Sequence, residues 1–188
     1  KRCKGEAYMV RYADDFVVVA KYISKALQGF IEKTLEQKLG LTINREKTKI
    51  IDMSRQGETL NFLGYQYERR KSYFKGGKDY ISIRASDKSI ERELNKISEM
   101  TESTNCWKPL KRVIKEVNRQ RRGWCEYFRL GKPHRIFNKI NNHTNYRLFY
   151  FAKRKSQKGL KLPQDKKPYE YFQQLGLMQM RVKNFKRV

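Results

Sequence analysis

The sequence predicts an α+β fold on three observations. Short β-branched and aromatic segments flank an acidic turn near the start, more alternating segments lead to paired glycines, and then apolar residues recur every three or four positions over three long stretches. In order, Glu6–Tyr12 and Phe16–Lys21 read as the two strands of a hairpin. Ser24 is placed to cap a helix in which Leu27, Phe30, Ile31, Thr34, Leu35 and Leu39 share a face, and Gly40 is placed to stop it. That helix is expected to cover one face of an antiparallel sheet. Leu41–Ile43, Thr48–Ile51 and Leu60–Tyr67 read as further strands, and a pair turning at Gly76-Gly77 has Tyr80–Arg84 as its second arm.

The pattern changes at Ser86–Asp87. Asp87 is placed to cap a helix with Ile90, Leu94, Ile97 and Met100 on one stripe, and Pro109 opens a second. In the second, Leu110, Val113, Ile114, Val117, Trp124 and Phe128 share a face, while Lys111, Arg112, Lys115, Arg119 and Arg122 spread over the rest. Gly131 and Pro133 separate it from a third helix, built on Phe137, Ile140, Thr144, Leu148 and Phe151. Three amphipathic helices with short connections predict a small bundle. After Lys158-Gly159 a polar, basic tail is expected, with one more helix near Tyr169–Leu175. The predicted division is therefore 1–85, 86–158 and 159–188.

Charge points to a polyanionic partner. The 188 residues carry 44 Lys and Arg against 19 Asp and Glu, a formal net charge of +25. Residues 1–85 hold 18 basic and 10 acidic groups, and residues 86–188 hold 26 and 9, so the helical half is the more basic. Such an excess binds phosphates with release of counterions, which makes binding salt-sensitive. An aromatic content of 13% excludes a purely solvated polycation. Cys3, Cys106 and Cys125 are too scattered for a disulfide framework or a zinc site, which fits a reducing compartment. No apolar run of transmembrane length and no signal peptide is present, and the chain starts abruptly before a strand without Met, as a fragment would.

Tyr12-Ala13-Asp14-Asp15, between Met9-Val10-Arg11 and Phe16-Val17-Val18-Val19, carries the chemistry. Adjacent carboxylates in an apolar hairpin repel one another and resist desolvation unless a cation neutralises them. Magnesium takes one or two carboxylates and keeps room for water and phosphates, which suits nucleotidyl transfer through paired metals. A solvated β-turn, in which Asp-Asp is unremarkable, is the plainer alternative.

These four residues resemble the catalytic turn of reverse transcriptases, and Ala13 resembles the version common in group II intron enzymes. Downstream blocks follow in the family's order. Gly40 to Lys49 is similar to the block in which a lysine approaches the incoming triphosphate, which implies that role for Lys47. Asn61-Phe62-Leu63-Gly64-Tyr65 looks like the primer grip, giving Phe62, Leu63 and Gly64 the support of the primer terminus. Arg121-Arg122-Gly123-Trp124-Cys125-Glu126-Tyr127-Phe128-Arg129 resembles the aromatic core of the maturase-specific domain, which also serves as the polymerase thumb.

The resemblance implies half of a polymerase palm followed by a three-helix thumb. The activity it implies is RNA-directed DNA synthesis with two Mg2+ ions on Asp14, Asp15 and a carboxylate from an earlier strand. It implies deoxynucleoside triphosphates, template–primer and intron RNA as partners, and a bacterial cytoplasmic or organellar setting. The earlier carboxylate and the fingers are not in this sequence, so the chain alone is expected to bind RNA without polymerising, its activity needing an N-terminal half. No endonuclease metal pattern closes the chain. For nucleic-acid contacts Lys111, Arg112, Lys115, Arg119, Arg122, Lys153, Arg154, Lys155, Lys166 and Lys167 are the candidates, whereas Trp124 and Phe128 belong to the core because they lie on the apolar stripe. A non-catalytic RNA-binding maturase fragment that assists splicing is the alternative function. Diversity-generating and retron enzymes share the palm but not the maturase-like helices, and a ribosomal-type protein accounts for the charge alone.

Overall fold

A computed structural model describes residues 6–72, 76–155 and 167–182. Among these residues the fold is α+β, with two small antiparallel sheets and five helices. It divides into two compact units, Lys1–Asp52 and Met53–Val188. The boundary falls before the second sheet, earlier than the change of pattern at Ser86.

In the first unit β1 (Ala7–Tyr12) pairs with β2 (Asp15–Ala20), from Ala7 opposite Ala20 to Tyr12 opposite Asp15. All six residues of β1 are exposed, Tyr8, Met9 and Val10 among them. Helix α1 (Lys25–Lys33) starts as expected, with the Leu27 N–H donating to Ser24 Oγ at 3.1 Å. It widens into a π turn (Thr34–Lys38) before Gly40 adopts φ +62°. The strands expected at Leu41–Ile43 and Thr48–Ile51 do not form. Asn44 turns the chain between them: its carbonyl accepts from the Thr48 N–H at 3.0 Å and from Thr48 Oγ1 at 2.8 Å, and its Oδ1 accepts from the Lys47 N–H at 3.1 Å. An asparagine that satisfies the following backbone locally removes the need for a strand partner.

In the second unit the single strand expected over Leu60–Tyr67 is two, β3 (Thr59–Phe62) and β4 (Tyr65–Lys71), with β5 (Asp79–Ala85) on the other side of β4. Leu63 and Gly64, at φ +50° and +76°, make the two-residue turn between β3 and β4. Positive φ at both centres matches the right-handed twist of a hairpin.

Helix α2 (Asp87–Met100) is capped by Ser86, whose Oγ accepts from the Ser89 N–H at 3.2 Å. Asp87, expected as the cap, instead takes a forked pair of bonds from Arg84 at 2.7 and 2.9 Å. α3 (Leu110–Tyr127) and α4 (His134–Lys155) match the predicted stripes: Val113, Ile114, Val117 and Trp124 of the first, and Phe137, Ile140, Leu148 and Phe151 of the second, are buried. Both sheet and helices share one core, in which Tyr65 and Ala85 pack with Ile90, Trp124, Phe128 and Phe137. Gly131 closes the α3–α4 connection against β5, where an added Cβ would lie 2.0 Å from the Ile83 carbonyl oxygen.

The helix expected near Tyr169–Leu175 forms, and the described segment around it is packed rather than solvated. α5 (Pro168–Gln174) buries Phe172, and the extended residues after it bury Leu177 and Met180. Three side chains strap this segment down. The Asn118 amide donates to the Gly176 carbonyl at 2.7 Å and accepts from the Met178 N–H at 2.9 Å. The Asn141 amide does the same for Met180, 3.1 Å in each direction, and Arg121 Nη1 donates to the Met178 carbonyl at 2.8 Å. Two amides thus stand in for a neighbouring strand and meet the hydrogen-bonding demand of buried backbone. No helix among the described residues is long and apolar enough to cross a membrane.

Candidate nucleic-acid interface and acidic turn

The acidic turn is a two-residue connection. Tyr12 and Asp15 are cross-strand partners, so Ala13 and Asp14 form the tip. Ala13 sits at φ +49°, a left-handed conformation that costs a residue with a Cβ about 1–2 kcal/mol. Arg11 Nε donates to the Ala13 carbonyl at 2.8 Å and holds that conformation. Both Asp14 and Asp15 are exposed, so the desolvation expected to demand a counter-cation does not arise in this chain. Neither carboxylate has a hydrogen bond or ion pair among the described residues, which leaves their oxygens open to a hard cation. Among those residues no group of three or more His, Cys, Asp or Glu could enclose a metal. Asp14 and Asp15 therefore fit the one-or-two-carboxylate share of a magnesium site and not a complete ligand set. Lys47 lies in the same unit, exposed in the turn that Asn44 forms, with its ammonium unpaired among the described residues.

In the other unit the Phe62-Leu63-Gly64 turn is pinned from both sides. The Gly64 carbonyl accepts from the Ser86 N–H at 2.8 Å and from Ser89 Oγ at 3.0 Å, both at the start of α2. Tyr127 Oη donates to the Leu63 carbonyl at 2.9 Å, and Tyr65 Oη donates to the Tyr127 carbonyl, tying the turn to the end of α3. A Cβ on Gly64 would meet Ser89 Oγ at 3.0 Å and the Phe128 ring at 3.2 Å. A hairpin tip so anchored is a rigid support.

The basic residues of α3 sort into a stripe and a remainder. Lys111, Lys115, Arg119 and Arg122 follow at steps of four, four and three residues, which confines them to a sector of roughly 80° over a length of about 16 Å. All four are exposed, and none has an internal partner among the described residues. Arg112 stands apart, bonded to Glu116 at 3.3 Å and lying 6.0 Å from the exposed Trp107 ring.

At the end of α4 only Lys153 is free among the described residues. Arg154 Nη2 donates to the Thr101 carbonyl at 2.8 Å and Lys155 Nζ to the Cys106 carbonyl at 2.7 Å, so both satisfy chain ends beyond α2. Lys167 occupies the cap of α5, its N–H donating to Glu170 Oε2 at 3.3 Å. Lys166 lies outside the described residues.

Two charged residues escaped the sequence reading. Arg121 is 1% exposed and Glu93 2% exposed, both inside the second unit. Besides its bond to the Met178 carbonyl, Arg121 donates to Asn141 Oδ1, while its Nε has no partner among the described residues. Burial pushes the guanidinium down to about 10, which leaves it charged near neutrality, and Glu93 opposes that shift. Burial likewise raises the Glu93 carboxyl; a 2.8 Å bond from Gln120 and the charges of Lys96 and Arg121 counter it. Arg121 was legible in principle, because it falls four residues after Val117 and three before Trp124, on the buried stripe.

Residues 90–169, which span α2 through the start of α5, match the family model described as the group II intron, maturase-specific domain. No curated protein matches the chain.

Proposed function

We propose that the chain is the C-terminal part of a group II intron-encoded reverse transcriptase and maturase whose helices bind intron RNA and template–primer, a reading supported by the match of residues 90–169 to the maturase-specific domain. The observation that carries the RNA-binding reading is the stripe of Lys111, Lys115, Arg119 and Arg122 on the matched domain: four cations, unpaired among the described residues, on one face of a helix whose opposite face is core. A cation row of this kind follows a phosphate backbone without reading bases. In this reading the maturase domain doubles as the thumb, and the pinned turn at Phe62, Leu63 and Gly64 supports the primer terminus.

The polymerase reading extends to the first unit. Asp14 and Asp15 would hold Mg2+, which when bound activates the attacking hydroxyl and stabilises the leaving oxygen. Lys47 Nζ supplies a positive charge, and a proton, to the departing pyrophosphate. The exposed apolar face of β1 supports a further polypeptide packing there, and the N-terminal half of the polymerase is the partner that would bring the remaining carboxylate and the nucleotide-binding fingers.

Two measurements test these claims separately. Removing all four stripe charges by substitution with alanine should weaken RNA binding and lower the slope of log affinity against log salt by roughly 3, at about 0.7 per single-strand phosphate contact. An unchanged slope would exclude the stripe. Primer extension with the N-terminal half supplied should be abolished by Asp14→Ala and by Asp15→Ala. Undiminished synthesis by either would refute the metal-ligand assignment, whereas no extension by the parent, with RNA binding intact, would favour a maturase that assists splicing without polymerising.

A further inference from the structure

Between α2 and α3 runs an open groove of ≈ 520 Å³. Lys96 and Met100 of α2 form one wall, Arg119, Gly123 and Tyr127 of α3 the other, and Trp124 and Phe128 reach it from the core. Arg119, Gly123 and Tyr127 succeed one another at four-residue steps, about 6 Å apart along the helix. The glycine is thus a gap between a cation and an aromatic ring.

Gly123 has no internal reason to be glycine. It lies in the middle of α3, and a Cβ built on it meets nothing within 4 Å. After proline, glycine is the least favourable residue in a helix interior, so the helix carries a penalty that packing within the chain does not explain. Close approach of a backbone from outside is the remaining physical reason. The neighbours describe what approaches. Lys96, whose charge also acts on Glu93, and Arg119 form no salt bridge among the described residues and offer positive charge to a phosphodiester. Tyr127 is 54% exposed, and its hydroxyl is tied to the Leu63 carbonyl, which presents the ring as a fixed face for stacking. Glu116, the acid on this groove, is engaged by Lys108 at 3.0 Å and Arg112 at 3.3 Å, so it does not set the local sign.

Building on the reading that these helices bind RNA, the geometry points to the α2–α3 groove as a seat for an unpaired nucleotide. Its sugar–phosphate passes over Gly123, its phosphates meet Arg119 and Lys96, and its base stacks on Tyr127. A base already stacked in a duplex cannot use that ring, so the groove selects single-stranded RNA.

The test uses the full chain with Gly123→Ala and Gly123→Leu, a fluorescein-labelled oligoadenylate as single strand, and a blunt RNA duplex of equal length. Both variants should melt no lower than the parent, because both residues are better helix formers facing open space. Single-strand affinity should fall about threefold for the alanine and tenfold or more for the leucine, with duplex affinity within twofold of the parent. Retention of single-strand affinity by Gly123→Leu, or equal losses on strand and duplex, would overturn the groove assignment. If the parent binds both RNAs and only the stripe substitutions matter, the groove alone is refuted; if the parent binds neither RNA, the RNA-binding reading falls with it.

Discussion

Replacing Arg121 with Met tests how the second unit holds together. The substitution keeps an unbranched apolar stem of similar reach and removes the guanidinium that donates to the Met178 carbonyl and to Asn141 Oδ1. Asn141 Oδ1 retains the Met180 N–H as a donor, so the damage centres on the Met178 carbonyl and on Glu93. Glu93 already has one oxygen, Oε1, without a partner among the described residues, and would lose a buried positive charge that favours its ionised form. Breaking a buried charge network from one side costs about 3–5 kcal/mol, a large share of the roughly 5–15 kcal/mol by which a domain is stable. At about 2–4 °C per kcal/mol the melting temperature should drop by roughly 6–20 °C. Urea unfolding followed by circular dichroism gives the free energy directly. Adding Glu93→Leu to Arg121→Met should recover part of the loss, since it removes the abandoned carboxylate. A loss under about 1 kcal/mol for the single variant, or a double variant equal to the sum of the singles, would refute the network.

Gly131→Ala should destabilise by about 3 kcal/mol or more, because φ is +79° and the new Cβ meets the Ile83 carbonyl; a melting curve unchanged from the parent would contradict the close approach. Tyr127→Phe removes one hydrogen bond to the Leu63 carbonyl and should cost about 1 kcal/mol in denaturant unfolding, with the ring still present; no loss would mean the turn does not depend on it. Glu93 should leave a signature in pH. Its folded pKa is raised above the ordinary 4.5, so its contribution to folding is complete below that value and is lost as pH rises through the folded one. The stability difference in favour of Glu93→Gln should therefore grow with pH across that window and be flat below it; parallel stability curves would exclude the shift.

The helices were readable because one buried face imposes a three- and four-residue rhythm, and Phe137, Ile140, Thr144, Leu148 and Phe151 keep it through the whole of α4. Leu41–Ile43 and Thr48–Ile51 have the composition of strands, yet local bonding to Asn44 takes up the backbone groups a ladder would use. Strand propensity is satisfied only by a partner, and composition does not record partners. Asp87 and Ser86 are both competent caps in sequence; the carboxylate is drawn off by Arg84 and the hydroxyl is left for the helix. Arg154 and Lys155 looked like surface charge because a basic run carries no mark of the carbonyls it reaches in space. The four stripe residues of α3 could be identified as basic and exposed, whereas their alignment needed the helix boundaries. The groove at Gly123 was invisible in sequence, since its opposite wall comes from α2.

The strap over residues 176–180 sets an order on synthesis. The family match ends at 169, yet Asn118, Arg121 and Asn141 find their carbonyl partners only beyond it. A ribosome that has just released α4 has made three helices whose central arginine still lacks the Met178 carbonyl. Those bonds can form only once the residues up to Met180 have followed α4 out of the ribosome.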